Sequence, residues 1–174
     1  MLERIAGGLD ALSVVVGRVL TWVVPLIVLL VFAVVVLRYA FDTGATAMQE
    51  LALHLHAAVF LLGAAWALGR DRHVRVDVLR TRMSPRVQAM LELGGCVLLL
   101  LPFCAFVLWI SLDYVWASWQ VREASREADG LKALYLVKAL IPLAAALLFL
   151  QGVAQALRAW MLVRRATPDA AGRA

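Results

Sequence analysis

Four runs free of Asp, Glu, Lys and Arg divide this chain: Val19 to Leu37, Leu51 to Gly69, Leu93 to Leu112 and Ala139 to Leu157. Each is about 19 or 20 residues, enough at 1.5 Å per residue to cross a hydrocarbon core of roughly 30 Å. Lipid gives backbone N–H and C=O groups no partner, so every run is expected to be a helix. Composition agrees: 64% of residues are hydrophobic and the mean hydropathy is +0.86, against roughly half apolar in soluble domains. The expected class is an all-α, polytopic membrane protein with four transmembrane helices in a bundle. A single membrane domain is expected over residues 1–166, with a disordered tail at 167–174. The first run is longer than a signal-peptide core and follows a charged, partly amphipathic stretch, so it reads as an uncleaved span.

Basic residues set the orientation. An even number of spans puts both termini and the middle loop on one side. That side carries Arg4, Arg18, the six loop arginines from Arg70 to Arg86, and Arg158, Arg164, Arg165 and Arg173. The other side has only Arg38, Arg122, Arg126, Lys132 and Lys138, while the acids divide evenly. Both termini are therefore expected in the cytoplasm, with the loops Arg38–Glu50 and Asp113–Lys138 outside. The net charge of +5 sits on the cytoplasmic face and needs no nucleic acid to explain it.

Several local expectations follow. Leu2, Ile5, Leu9, Leu12 and Val16 have helical spacing, as a helix on the membrane surface or an extension of span one. Thr46 to Gln49 fits a capping box, with Glu50 in the first helical turn. Ser84-Pro85 reads as an N-cap followed by proline at the first helical position. No Gly or Pro intervenes between Pro102 and Gly130, so the third helix is expected to continue through LDYVWASWQVREASRE. Asp129-Gly130 reads as a turn, and a fourth helix runs from about Leu131 to Arg165, with a kink plausible at Pro142. Gly63, Gly94 and Gly95 are expected to allow close helix approach. Lys138 reads as an interfacial snorkeller. Cys96 and Cys104 read as small packing residues.

Transport and redox chemistry within a membrane usually show as ionisable groups in the spans. Here these runs contain only His54 and His56, about 200° apart around a helix, so they cannot face one site. Bis-histidine haem ligation would need a third histidine on a facing helix; the remaining one, His73, lies in the cytoplasmic loop. No phosphate loop, metal-spaced Cys/His set or nucleophile constellation is found, and no internal repeat. No catalytic residue, cofactor or metal is expected. The chain is expected to hold or complete another protein. Two other readings stay open: a membrane anchor for a redox enzyme, and a stand-alone small transporter.

The loop GRDRHVRVDVLRTRMSP, Gly69 to Pro85, carries more pattern than charge retention requires. His73-Val-Arg-Val-Asp77-Val-Leu alternates polar and apolar positions. Three segments, FLLGAAWALGRDRHVRVDVL, Arg38-Tyr-Ala-Phe41 with Glu50, and Ser118 to Arg158, together resemble the DctQ-like small permease subunit of tripartite ATP-independent periplasmic (TRAP) transporters. The last segment has Ser118, Trp119, Glu123, Ser125, Gly130, Lys138 and Pro142 in the family pattern. The resemblance implies an inner-membrane, non-catalytic subunit with two protein partners. A large permease would carry a carboxylate-bearing solute with sodium, and a periplasmic solute-binding protein would deliver it. Candidate contacts to the large permease are Arg38, Glu50, Gly63, His73 and Asp77. Candidate docking residues for the binding protein are Arg122, Glu123 and Arg126.

Overall fold

The computed structural model describes residues 2–70 and 83–165, with side chains from residue 7 to residue 164. Residues 71–82 and 166–174 lie outside the described set, and with them His73, Asp77 and the tail. Among the described residues there are four long helices and no strand: α1 (Leu2–Ala40), α2 (Thr46–Gly69), α3 (Pro85–Gln120) and α4 (Leu134–Arg165). All four are long and apolar enough to cross a membrane. The N-terminal segment is an extension of span one, because α1 is continuous over 39 residues, about 58 Å at 1.5 Å per residue. Its first turns overhang a bilayer core and supply polar groups at one end of the molecule.

Helix α4 is the hub. It packs against α1, α2 and α3, and α1 also packs against α2. Helix α3 makes its main contacts with α4, so it stands outside the α1–α2–α4 group and leaves a broad apolar face uncovered. Leu98 and Leu99 are each 73% exposed, and Phe103, Phe106, Trp109 and Ile110 are exposed alongside them. The buried core is correspondingly small-residue: Ala52, Ala65, Ala89, Ala144, Ala145, Ala154 and Ala159 let the helices approach closely.

Glycine at three contacts serves the same end. A Cβ at Gly17 would run into the Trp66 ring, one at Gly69 would stand 2.7 Å from Gln151 Nε2, and one at Gly152 would stand 2.9 Å from Leu100 Cδ2. These join α1 to α2, α2 to α4, and α3 to α4. The expected approach at Gly94 and Gly95 is not seen, since nothing lies within 4 Å of a Cβ at either; Gly63 has an ordinary 3.8 Å contact with Leu20.

Three helix ends are instructive. Ser84 caps α3 as expected, its hydroxyl accepting from the Val87 N–H at 3.5 Å, with Pro85 next. The Thr46 capping box does not form. Ala45 is the N-cap and its carbonyl accepts from Gln49 N–H, so Thr46 is already inside the helix and no side chain caps it. Glu50 is thereby the fifth helical residue rather than a first-turn acid. The third helix also stops earlier than expected, at Gln120. Arg122 takes the left-handed conformation (φ 45°), Arg122 N–H bonds to Trp119 O at 3.2 Å, and Glu123 N–H bonds to Ser118 O at 3.0 Å. This is a Schellman closure with arginine where glycine is usual, which is why a search for Gly or Pro does not find it. Helix α4 accordingly begins at Leu134, after a loop at residues 121–133.

Within α3, Cys96 to Leu100 form one π-helical turn, closed by Leu101 N–H bonding to Cys96 O. Pro102 follows immediately. Proline has no N–H and its ring crowds the carbonyl four residues back, so a widened turn at that place relieves the clash. The bulged side chains Leu100 and Leu101 seat over Gly152 of α4.

The glycine contacts give a direct test. Gly17→Val should destabilise the purified chain by about 1–3 kcal/mol by forcing α1 off Trp66. Gly94→Ala should change stability by no more than about 0.5 kcal/mol. Thermal unfolding in mild detergent measures both.

Candidate functional site

Among the described residues, two polar networks join the helices, one at each end of the bundle. At the end carrying both termini, Asp10 and Ser13 of α1 meet Gln151 and Arg158 of α4. Gln151 Nε2 donates to Asp10 Oδ1 at 2.8 Å, and Ser13 Oγ donates to Gln151 Oε1 at 2.5 Å. Arg158 forms a salt bridge with Asp10. Gln151 is only 1% exposed, and Gly69 of α2 leaves the space it occupies. One amide thus joins three helices with both donor and acceptor used. One turn on, Gln155 accepts from Cys96 Sγ at 3.9 Å, tying in the start of the π turn. Among the described residues no buried side-chain N or O lacks a partner.

The opposite end is a loop clasped by two carboxylates. Glu50, from α2, reaches across: Ser125 Oγ donates to one of its oxygens, and Leu131 N–H donates to the other at 2.6 Å. Gly130 makes room, because a Cβ there would meet Ser125 at 2.5 Å and Glu50 Oε2 at 2.9 Å. Ser125 and Leu131 also bond through the backbone at 3.0 Å. Glu123, at the Schellman closure, accepts from Ser118 Oγ at 2.7 Å and forms a salt bridge with Lys138. Lys138 lies over the Tyr114 ring at 4.3 Å, and Trp119 meets Tyr135 edge-on at 5.0 Å. Hydrogen bonds from Lys138 first, then Ser118, hold the Glu123 carboxyl below its usual range.

The residues singled out from the sequence separate into three groups. Glu50 and Glu123 are brought into this loop network. Lys138 is there too, ion-paired rather than merely reaching for the interface. Arg122 and Arg126 are exposed on the loop. Arg38 and His56 line a cleft between α1 and α2 with Gln49, and Gly63 lies on the α1–α2 contact. The cluster around Gln151 was missed, because counting only ionisable groups in the spans passes over amides. The available signal was the i, i+4 pair Gln151 and Gln155 in an otherwise apolar run.

Comparison with known proteins fits this architecture. The family model "Tripartite ATP-independent periplasmic transporters, DctQ component" matches residues 27–162. A protein of Haemophilus influenzae, provisionally named a TRAP transporter small permease protein, is 30% identical over 99 residues. That alignment covers 57% of this chain and 58% of the relative, so the chain spans little more than half the relative's length. No solved structure matches.

The clasp predicts an acid-sensitive loop. The lowered Glu123 carboxyl contributes stability that is present above the ordinary value of 4.5 and is lost as pH falls through the lower folded value. Protection factors of the amides in residues 121–133, with the intrinsic pH dependence of exchange divided out, should fall on acidification through that window. In Glu123→Gln they should already be low at neutral pH and respond less to acid. Matching pH dependence in both proteins would show that Glu123 does not hold the loop. The match spanning all four helices makes this chain a member of the DctQ family, a family of transporter subunits rather than of enzymes.

Proposed function

We propose that the chain is the small membrane subunit of a TRAP transporter and serves as a scaffold for a large permease subunit. The observation that carries this reading is the family match across residues 27–162. The geometry supports it. The polar groups of the Gln151 cluster and of the loop clasp bond to one another, and the faces left uncovered on α1 and α3 are apolar. Sodium-coupled carriage of a carboxylate-type solute then belongs to the large subunit, and solute delivery to a periplasmic binding protein.

In this reading the chain lies in the bacterial inner membrane with both termini cytoplasmic. The clasped loop faces the periplasm and presents Arg122 and Arg126 to the binding protein, with Glu123 setting the loop's shape. Arg38, Glu50 and Gly63 lie toward the same side or on the α1–α2 contact, and with His73 and Asp77 are the proposed contacts to the large permease. The salt bridge Lys138–Glu123 and the bonds to Glu50 keep the loop in one conformation before docking, which reduces the ordering cost of binding.

Purification of the tagged chain from its native membranes in mild detergent tests the reading. A stoichiometric, many-span hydrophobic partner is the expected companion on mass spectrometry. A soluble flavin or iron–sulfur protein in its place would favour the redox-anchor reading. With the partner in hand, charge reversal at Arg122 and Arg126 together should weaken capture of the periplasmic binding protein while leaving the membrane pair intact.

A further inference from the structure

Helices α1 and α2 line an open cleft of about 480 Å³ near the 41–45 connection. Its walls are aliphatic, with Ile27, Val31 and Leu53 among them, and its polar lining is Arg38, Gln49 and His56. Arg38 is in the last turn of α1 and Gln49 in the opening turn of α2, so they flank the connection at the membrane edge. Ile27 lies eleven residues deeper along α1, about 16 Å at 1.5 Å per residue. Donors Arg38 and Gln49 therefore sit at the rim above aliphatic walls, while His56 lies seven residues deeper than Gln49 along α2, about 10 Å.

Among the described residues, none of these three polar side chains has a hydrogen-bond or ion-pair partner. The nearest acid in sequence to Gln49, Glu50, is turned away to Ser125 and Leu131. No side chain caps the α2 N-terminus beside the rim. At the rim a guanidinium and an amide offer N–H donors suited to phosphate oxygens, above a trench suited to a methylene chain. We infer that this cleft is a phospholipid site, holding a phosphodiester headgroup on Arg38 and Gln49 at the rim and one acyl chain between α1 and α2 below them. The step from rim to trench runs parallel to the helices, as a lipid lies in a bilayer. A partner helix seated in the cleft would instead bury the Arg38 charge at a desolvation cost, whereas a lipid leaves the guanidinium at the rim, open to the large permease.

Native mass spectrometry of the full-length chain in mild detergent, titrated with phosphatidylglycerol, reads this site. One tightly held lipid is expected. Arg38→Ala should weaken it about fivefold, the share of one basic residue near an anionic headgroup, and Leu53→Trp, which fills the trench, should abolish it. Circular dichroism of each variant checks folding, and Arg38, exposed at the rim, decides the matter if the tryptophan variant misfolds. Glycerol phosphate without acyl chains should not displace the lipid; full displacement would mean that the site reads the headgroup alone and would overturn the proposal. Binding unchanged in both variants would overturn it by placing the lipid elsewhere. So would a photocrosslinker at residue 53 that, in the purified complex, captures a partner helix instead of lipid.

Discussion

Hydrocarbon offers the Gln151 amide nothing to bond, and the arrangement of three helices follows from how that need is met. Its donor goes to Asp10, its acceptor to Ser13, and Gly69 opens the space. Association of apolar helices in lipid has no hydrophobic drive of its own, so close packing and interhelical hydrogen bonds must supply the specificity. A single such bond contributes on the order of 1 kcal/mol in membranes, which is modest. Its value here lies in position: it fixes the rotation of α4, and α4 is the helix that every other one packs against.

The two ends solve the same problem differently. The terminal end uses side chains on helices already in contact. The loop end uses Glu50 of α2 to satisfy a backbone N–H and a hydroxyl in a segment that follows α3, while Glu123 closes α3 itself. Both ends consume polar groups internally. What remains outward over the spans is apolar, with the α1–α2 rim around Arg38 the exception. For a subunit whose family is defined by working in a complex, that surface is what a membrane partner and lipid would meet.

The four spans were legible because charge-free runs of that length admit one structure in a bilayer. The Ser84-Pro85 start was legible because both residues act locally. Features set by tertiary contact were not. Glu50 reads as a helix-start acid until the loop after α3 folds back onto it. The Schellman closure is invisible when its left-handed residue is Arg122. The π turn at Cys96 to Leu100 depends on Pro102 together with a glycine on another helix, Gly152. Gly94 and Gly95 look like packing glycines in sequence yet face open space, whereas Gly17, unremarked, receives Trp66. Spacing shows which residues share a face; it does not show which face has a neighbour.

The central claim is that this chain works by holding a membrane partner against its uncovered apolar faces. Site-specific photocrosslinking in native membranes tests it most directly, with probes at Phe32 on α1, Phe106 on α3 and, as an internal control, the buried Ala145 on α4. The account predicts that at least one of the two outward positions captures a single large, many-span protein in high yield, while position 145 captures only this chain. Crosslinks to lipid alone at both outward positions, in membranes where the transporter is assembled, would contradict it.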